Sequence, residues 1–269
     1  MVAEQDGAQA RALYTLNSGS HWEYKPDDRE YKPVNLVRIP GSQYLILDSG
    51  KGRVMILDSE KTVIEEQSSF PDEEDIPTNL QRPHSLSWTQ EGTILVADTG
   101  NNRILELNRQ LGAIWVYGGE TLEASSPIQA PLAATRLADG NTAIIDSGSK
   151  RVIIVSPEKE VLRQLGTQKE LPDPSCLFRR GDDPRLWVGD ASGKILCYDE
   201  QGTVLRSITQ VKSPPKPNDL FGSAGTESLS GISGLYVDPE ENILLSLRNS
   251  GRVLLLQRGE SVLGLITGL

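Results

Sequence analysis

From Pro83 to Gly119 the chain is written as four short apolar runs separated by polar turns. Residues 84–88 (HSLSW) alternate, and residues 93–98 (TILVAD) form a β-branched run. Residues 103–108 (RILELN) alternate again, and residues 113–118 (AIWVYG) close the unit. QEG, TGNN and RQLG separate them. Runs of five or six residues between Gly/Asn/Asp turns predict a four-stranded β-meander. One such sheet has two apolar faces and cannot bury both alone, so it requires copies beside it.

The copies are present at 33–70, 131–167, 174–210 and 232–269. Pro33 and Arg53, Pro83 and Arg103, Pro131 and Arg151, Pro174 and Lys194, and Ile232 and Arg252 are each 20 residues apart. A β-branched residue follows every basic one: Val54, Ile104, Val152, Ile195 and Val253. The spacing between copies varies, at 50, 48, 43 and 58 residues. Each unit therefore has one geometry, and the connectors differ.

VADTGNNRILELN resembles the NHL-repeat consensus, in which a strand ending in Asp leads through an Asn-containing turn to Arg and a second strand. LDSGKGRVMILD, IDSGSKRVIIVS and GDASGKILCYDE are similar. The resemblance covers residues 33–269. It implies an all-β fold, a β-propeller of four-stranded antiparallel blades with five clear repeats and five or six blades in total. It says little about activity, because such propellers serve binding, scaffolding and several unrelated enzymes.

Residues 1–32 do not form a whole repeat and are set apart as a leader before the propeller at 33–269. EQDGAQARALYTL is similar to the tail of the fourth unit, DEQGTVLRSITQ, and reads as an orphan strand. The last repeat has its own fourth strand, SVLGLITGL. Three readings stand: the orphan strand pairs on the last blade, belongs to a degenerate extra blade with HWEYKPDDREYK, or leaves an edge open for self-association. An irregular closing element is the favoured form.

Charge narrows the partners. Lys+Arg total 27 against Asp+Glu 37, a net −10, and no basic stripe is interleaved with aromatics. RNA binding, which some NHL propellers carry out on a basic face, is not expected. Cys176 and Cys197 fall on the first and third strands of one repeat, with the second between them, so no disulfide is expected. No apolar run suits a signal peptide or a membrane span, and the expectation is a soluble cytoplasmic protein without a cofactor.

In a propeller, blade connectors and second-to-third-strand turns emerge on one face, so that face and the channel mouth beneath it are expected to work. Asp48, Asp98, Asp146 and Asp190 end second strands ahead of Arg53, Arg103, Arg151 and Lys194; the fifth repeat has Leu247 before Arg252. A repeated Asp reads as a turn cap, where a metal-binding ring of carboxylates is the alternative. His84 opens the first strand of the second repeat, where it either hydrogen-bonds near the channel mouth or acts in catalysis. His21 and His84 are the two histidines, too few for the multi-His zinc site of NHL-like lyases. Among first-strand positions only Asn35 is a good hard-metal ligand, and no metal is expected. Trp22, Tyr24 and the lone connector aromatic Phe221 are candidate contacts. With no catalytic residue assigned, the sequence favours a non-catalytic scaffold that binds a protein or peptide on the connector face. The alternative is a propeller enzyme, a lyase or hydrolase, with its site at the channel mouth.

Overall fold

A computed structural model describes residues 2–6, 9–13, 21–24, 26–71, 74–120, 126–181, 183–213, 225–258 and 261–267. The chain is all-β, a β-propeller of five four-stranded antiparallel blades. It divides into two compact units, 1–136 and 137–269, and the division falls just after the first strand of the third blade.

The first unit opens with β1 (Val2–Asp6), β2 (Gln9–Leu13) and β3 (His21–Tyr24), which pair in that order as a three-stranded antiparallel sheet. The second of these strands, β2, pairs with the HWEY strand, β3. Blade 1 is β4 (Pro33–Ile39), β5 (Gln43–Asp48), β6 (Arg53–Leu57) and β7 (Val63–Gln67). A small hairpin follows, β8 (Ser69–Pro71) with β9 (Pro77–Asn79). Blade 2 is β10 (Ser85–Trp88), β11 (Ile94–Asp98), β12 (Arg103–Leu107) and β13 (Ala113–Gly118). The unit ends with β14 (Pro131–Arg136), the first strand of blade 3.

The second unit carries the rest of blade 3, β15 (Thr142–Asp146), β16 (Arg151–Val155) and β17 (Val161–Leu165). Blade 4 is β18 (Pro174–Phe178), β19 (Leu186–Asp190), β20 (Lys194–Tyr198) and β21 (Val204–Ile208). After β22 (Val211–Ser213) and β23 (Gly225–Glu227) comes blade 5, β24 (Ile232–Val237), β25 (Ile243–Leu247), β26 (Arg252–Gln257) and β27 (Ser261–Thr267). The last repeat thus keeps its own fourth strand. β22 pairs in parallel with β27 and extends that sheet to six strands.

Burial follows from this order. The second strands of blades 2–4 are buried on both faces: every residue of β11, β15 and β19 is buried. This explains why they read as unbroken apolar runs rather than as alternation. In the first unit, Leu45, Leu47, Val54 and Ile56 of blade 1 pack with Leu86, Ile94, Val96 and Leu105 of blade 2. In the second, Cys176, Trp187 and Ile195 of blade 4 pack with Ile232, Leu245 and Leu254 of blade 5. Outer strands do the reverse, and all of β7 is exposed. Cys176 and Cys197 are buried free thiols that pair across opposite edges of β19, with Gly189 and Trp187.

The turns into the fourth strands share one chemistry. The Asp58 carboxylate accepts N–H bonds from Glu60 and Thr62, at 2.8 and 2.9 Å. Asn108, Ser156 and Asp199 do the same in blades 2, 3 and 4. Three residues on, Lys61, Leu111, Lys159 and Gly202 all have positive φ. An Asx-type cap therefore sets each turn whether or not a glycine fills the left-handed position.

First strands are joined by side chains instead. Ser85 and Ser87 Oγ donate to the Leu132 and Ala134 carbonyls of β14, at 2.7 and 2.8 Å. In the second unit Ser175 Oγ donates to Ile232 O at 2.6 Å. An ion-pair clasp also holds blade 4 to blade 5. Arg185 bonds Asp183 at 2.8 Å and Glu241 at 2.5 Å, and Arg206 reaches Glu241 at 3.5 Å.

Arg185 holds both the Asp183 and Glu241 carboxyls below their usual range. Folded values below the unfolded ones stabilise the fold above about pH 4, and that contribution is lost as pH falls through the folded values. Thermal unfolding followed from pH 6 to 3 is therefore expected to show a falling melting temperature. Glu241→Gln should flatten part of that slope, and an unchanged slope would remove the clasp from the account.

Candidate functional site

On the turn side of blades 1–4 the Asp of each second strand sits at zero exposure. Its first task is to tie down the chain entering its own blade. Asp48 accepts the Lys32 N–H, Asp98 the Gln81 N–H and Asp190 the Asp173 N–H, each at 2.8 Å. Its second task is to hold the basic residue opposite. Arg53, Arg103 and Arg151 donate Nε to Asp48, Asp98 and Asp146 at 2.8, 2.7 and 2.7 Å. Blades 1–3 thus share one Asp–Arg pair. Blade 4 departs from it, because a spacing of four turns the Lys194 ammonium to the Lys169 and Glu170 carbonyls, at 3.0 and 3.3 Å. In blade 5 the matching pair is Leu247 and Arg252.

Blade 2 carries the most enclosed pair. Arg103 is 1% exposed, where the Arg53 and Arg151 side chains are 11% and 31% exposed. The β8–β9 hairpin causes this by laying carbonyls on the guanidinium: Pro71 O takes Nη1 and Thr78 O takes Nη2, both at 3.1 Å. Burial raises the Asp98 carboxyl pKa, against the pull of the Gln81 N–H, the Asn101 amide and Arg103. Beside the pair lies a cleft of about 140 Å³, lined by Thr78, Gly100, Asn101, Asn102, Arg103, Gly119 and Glu120.

His84 stands at the start of blade 2's first strand. It is exposed, and its Nδ1 lies 3.0 Å from Leu132 O. A carbonyl only accepts, so Nδ1 carries the proton and Nε2 of the neutral ring keeps its lone pair. β10 lies beside both β4 and β14 in the first unit. Half-buried Asn35 is on β4, past the irregularity that follows Pro33.

Tyr24 is elsewhere, half-buried, its ring edge-on to Tyr31 at 5.7 Å. Burial raises its hydroxyl pKa while Arg53 opposes the shift. Trp22 lies in β3, but its side chain and all of Phe221 fall outside the described residues. Among the described residues no three His, Cys, Asp or Glu side chains gather as a metal site. No helix there is long and apolar enough to cross a membrane.

Thr78, Asn101, Asn102 and Glu120 were not singled out by the sequence reading. Asn101 and Asn102 carry a signal, since they form the TGNN turn before Arg103. Thr78 and Glu120 lie in connectors, and no local pattern marks them.

The NHL-repeat model matches residues 80–107. No curated protein matches the sequence. Solved structures match over most of the chain. Virginiamycin B lyase from Staphylococcus aureus is 12% identical with a TM-score of 0.62, covering 88% of this chain and 70% of its own. A streptogramin B lyase is 13% identical with a TM-score of 0.67, covering 98% and 77%. A catalytically inactive His-to-Ala virginiamycin B lyase from S. aureus, solved with Quinupristin, is 11% identical with a TM-score of 0.67, covering 97% and 78%. At such identity the likeness carries the fold. It also corrects the expectation of a non-catalytic protein- or peptide-binding scaffold, because these neighbours are enzymes.

Asp98→Asn should remove the charge partner of a buried guanidinium and cost about 3–5 kcal/mol. Asp190→Asn leaves no buried guanidinium behind and should cost about 1–2 kcal/mol. Urea unfolding of the two variants checks the order; equal losses would mean that the Arg contact is immaterial. Residues 80–107 match the NHL repeat, and the chain folds as a β-propeller of five four-stranded blades.

Proposed function

We propose that this chain is a propeller enzyme, a lyase or hydrolase, with His84 as general base at the start of the inner strands. One observation carries the reading: His84 is exposed, and its Nδ1–H bond to Leu132 O leaves Nε2 as the basic nitrogen. A base held this way removes a proton from a carbon acid in a lyase or from water in a hydrolase. The shared fold with lyases supports it, as does a neighbour described as catalytically inactive after a His-to-Ala change. Asn35, on the adjoining strand, offers an amide to orient a substrate carbonyl. A multi-histidine zinc centre does not fit, because His21 and His84 are the chain's two histidines.

The first substrate to offer is quinupristin, the compound solved with one neighbour, followed by simple activated esters. Turnover of either substrate is the readout. His84→Ala should lower it by about 100-fold or more with an unchanged melting temperature, since the side chain is exposed. A variant that turns over at the wild-type rate would rule out His84 as the base.

A further inference from the structure

Blade 2 departs from the other repeats at its turn-side cap, and the departure makes room for a ligand. Its Arg103 is covered by the β8–β9 hairpin, and the cover leaves the 140 Å³ cleft beside it. That volume is the share of about four or five water molecules, enough for a compound of a few heavy atoms. Gly119, at φ +104, lines it, and a Cβ built there would stand 3.9 Å from the Arg103 Cβ and Cδ. A glycine at this place keeps the floor uncovered.

Part of the donor set around the cleft is already committed. Arg103 uses Nε, Nη1 and Nη2 on Asp98, Pro71 O and Thr78 O. Asn101 Nδ2 donates to Asn79 O and to Asp98, at 2.8 and 2.7 Å. Asn102 Nδ2 donates to Glu120 Oε1 at 3.3 Å, while its Oδ1 accepts the Ala130 N–H at 2.9 Å. Acceptors are left over: Asn101 Oδ1 and the second Glu120 oxygen. Arg103 and Asp98 neutralise each other, so Glu120 gives the cleft a net negative charge in a chain of net −10.

We propose that this cleft binds a small ligand through a primary ammonium group, which Glu120 and the Asn101 amide oxygen receive. An ammonium brings three donors and one positive charge, which complement the spare acceptors and the Glu120 charge. A quaternary ammonium does not suit it, because no aromatic ring lines the cleft among the described residues. A divalent cation does not suit it either, with Glu120 the single lining carboxylate among the described residues. The site is separate from His84 and is read by binding, so its failure and that of the enzymatic reading are distinguishable.

The full chain would be titrated at neutral pH with ethylammonium, tetramethylammonium and acetate, following side-chain amide signals by nitrogen–proton NMR. Ethylammonium should shift the Asn101 and Asn102 signals saturably, while the other two leave them in place. Glu120→Gln, an exposed rim change that should fold normally, should weaken binding by at least about tenfold. No saturable shift, equal response to tetramethylammonium, or equal affinity in Glu120→Gln would each overturn the proposal.

Discussion

A carboxylate at zero exposure is the constraint on which each of the first four blades depends. Taking Asp48, Asp98, Asp146 or Asp190 out of water is costly unless its oxygens are filled. The chain fills them with what lies nearby: the N–H of the segment entering the blade and, in three blades, a guanidinium from the strand opposite. The same group therefore fixes where a blade begins and how its two central strands meet. The register pairs show this directly, with Asp48 opposite Arg53, Asp98 opposite Arg103 and Asp146 opposite Arg151.

Around these caps the blades are held by devices that do not depend on apolar contact alone. Hydroxyls of one inner strand donate to carbonyls of the next, which supplies partners where strand pairing stops. Asx-type turns close the outer hairpins with a left-handed residue that is glycine in one case of four. Because these devices repeat, they describe architecture. Chemistry is better sought where a repeat breaks its own rule, and blade 2 does so twice. It alone places a histidine ahead of its first strand, and its Arg cap is the one closed over by a connector hairpin.

The weakness of the scaffold reading follows from the same distinction. An acidic chain with few ligating residues on its first strands gave no reason to expect catalysis. That inference counted residue types and ignored how one of them is held. His84 is held through Nδ1 on the Leu132 carbonyl.

Sequence alone determined what is local. Strand lengths, the 20-residue offset and the Asp-to-Arg pairing were legible because residues five apart across a tight turn must meet. The double burial of second strands was legible for the same reason, as unbroken apolar runs. Tertiary structure decided whatever joins distant segments. His84 gained its partner from Leu132, 48 residues on, and Arg103 was buried by carbonyls 32 and 25 residues before it. Glu120 and Thr78 came to one cleft from two connectors, and the N-terminal strands formed their own sheet. No local pattern encodes such meetings, because they depend on how the blades and their connectors pack, and backbone carbonyls have no letter in a sequence.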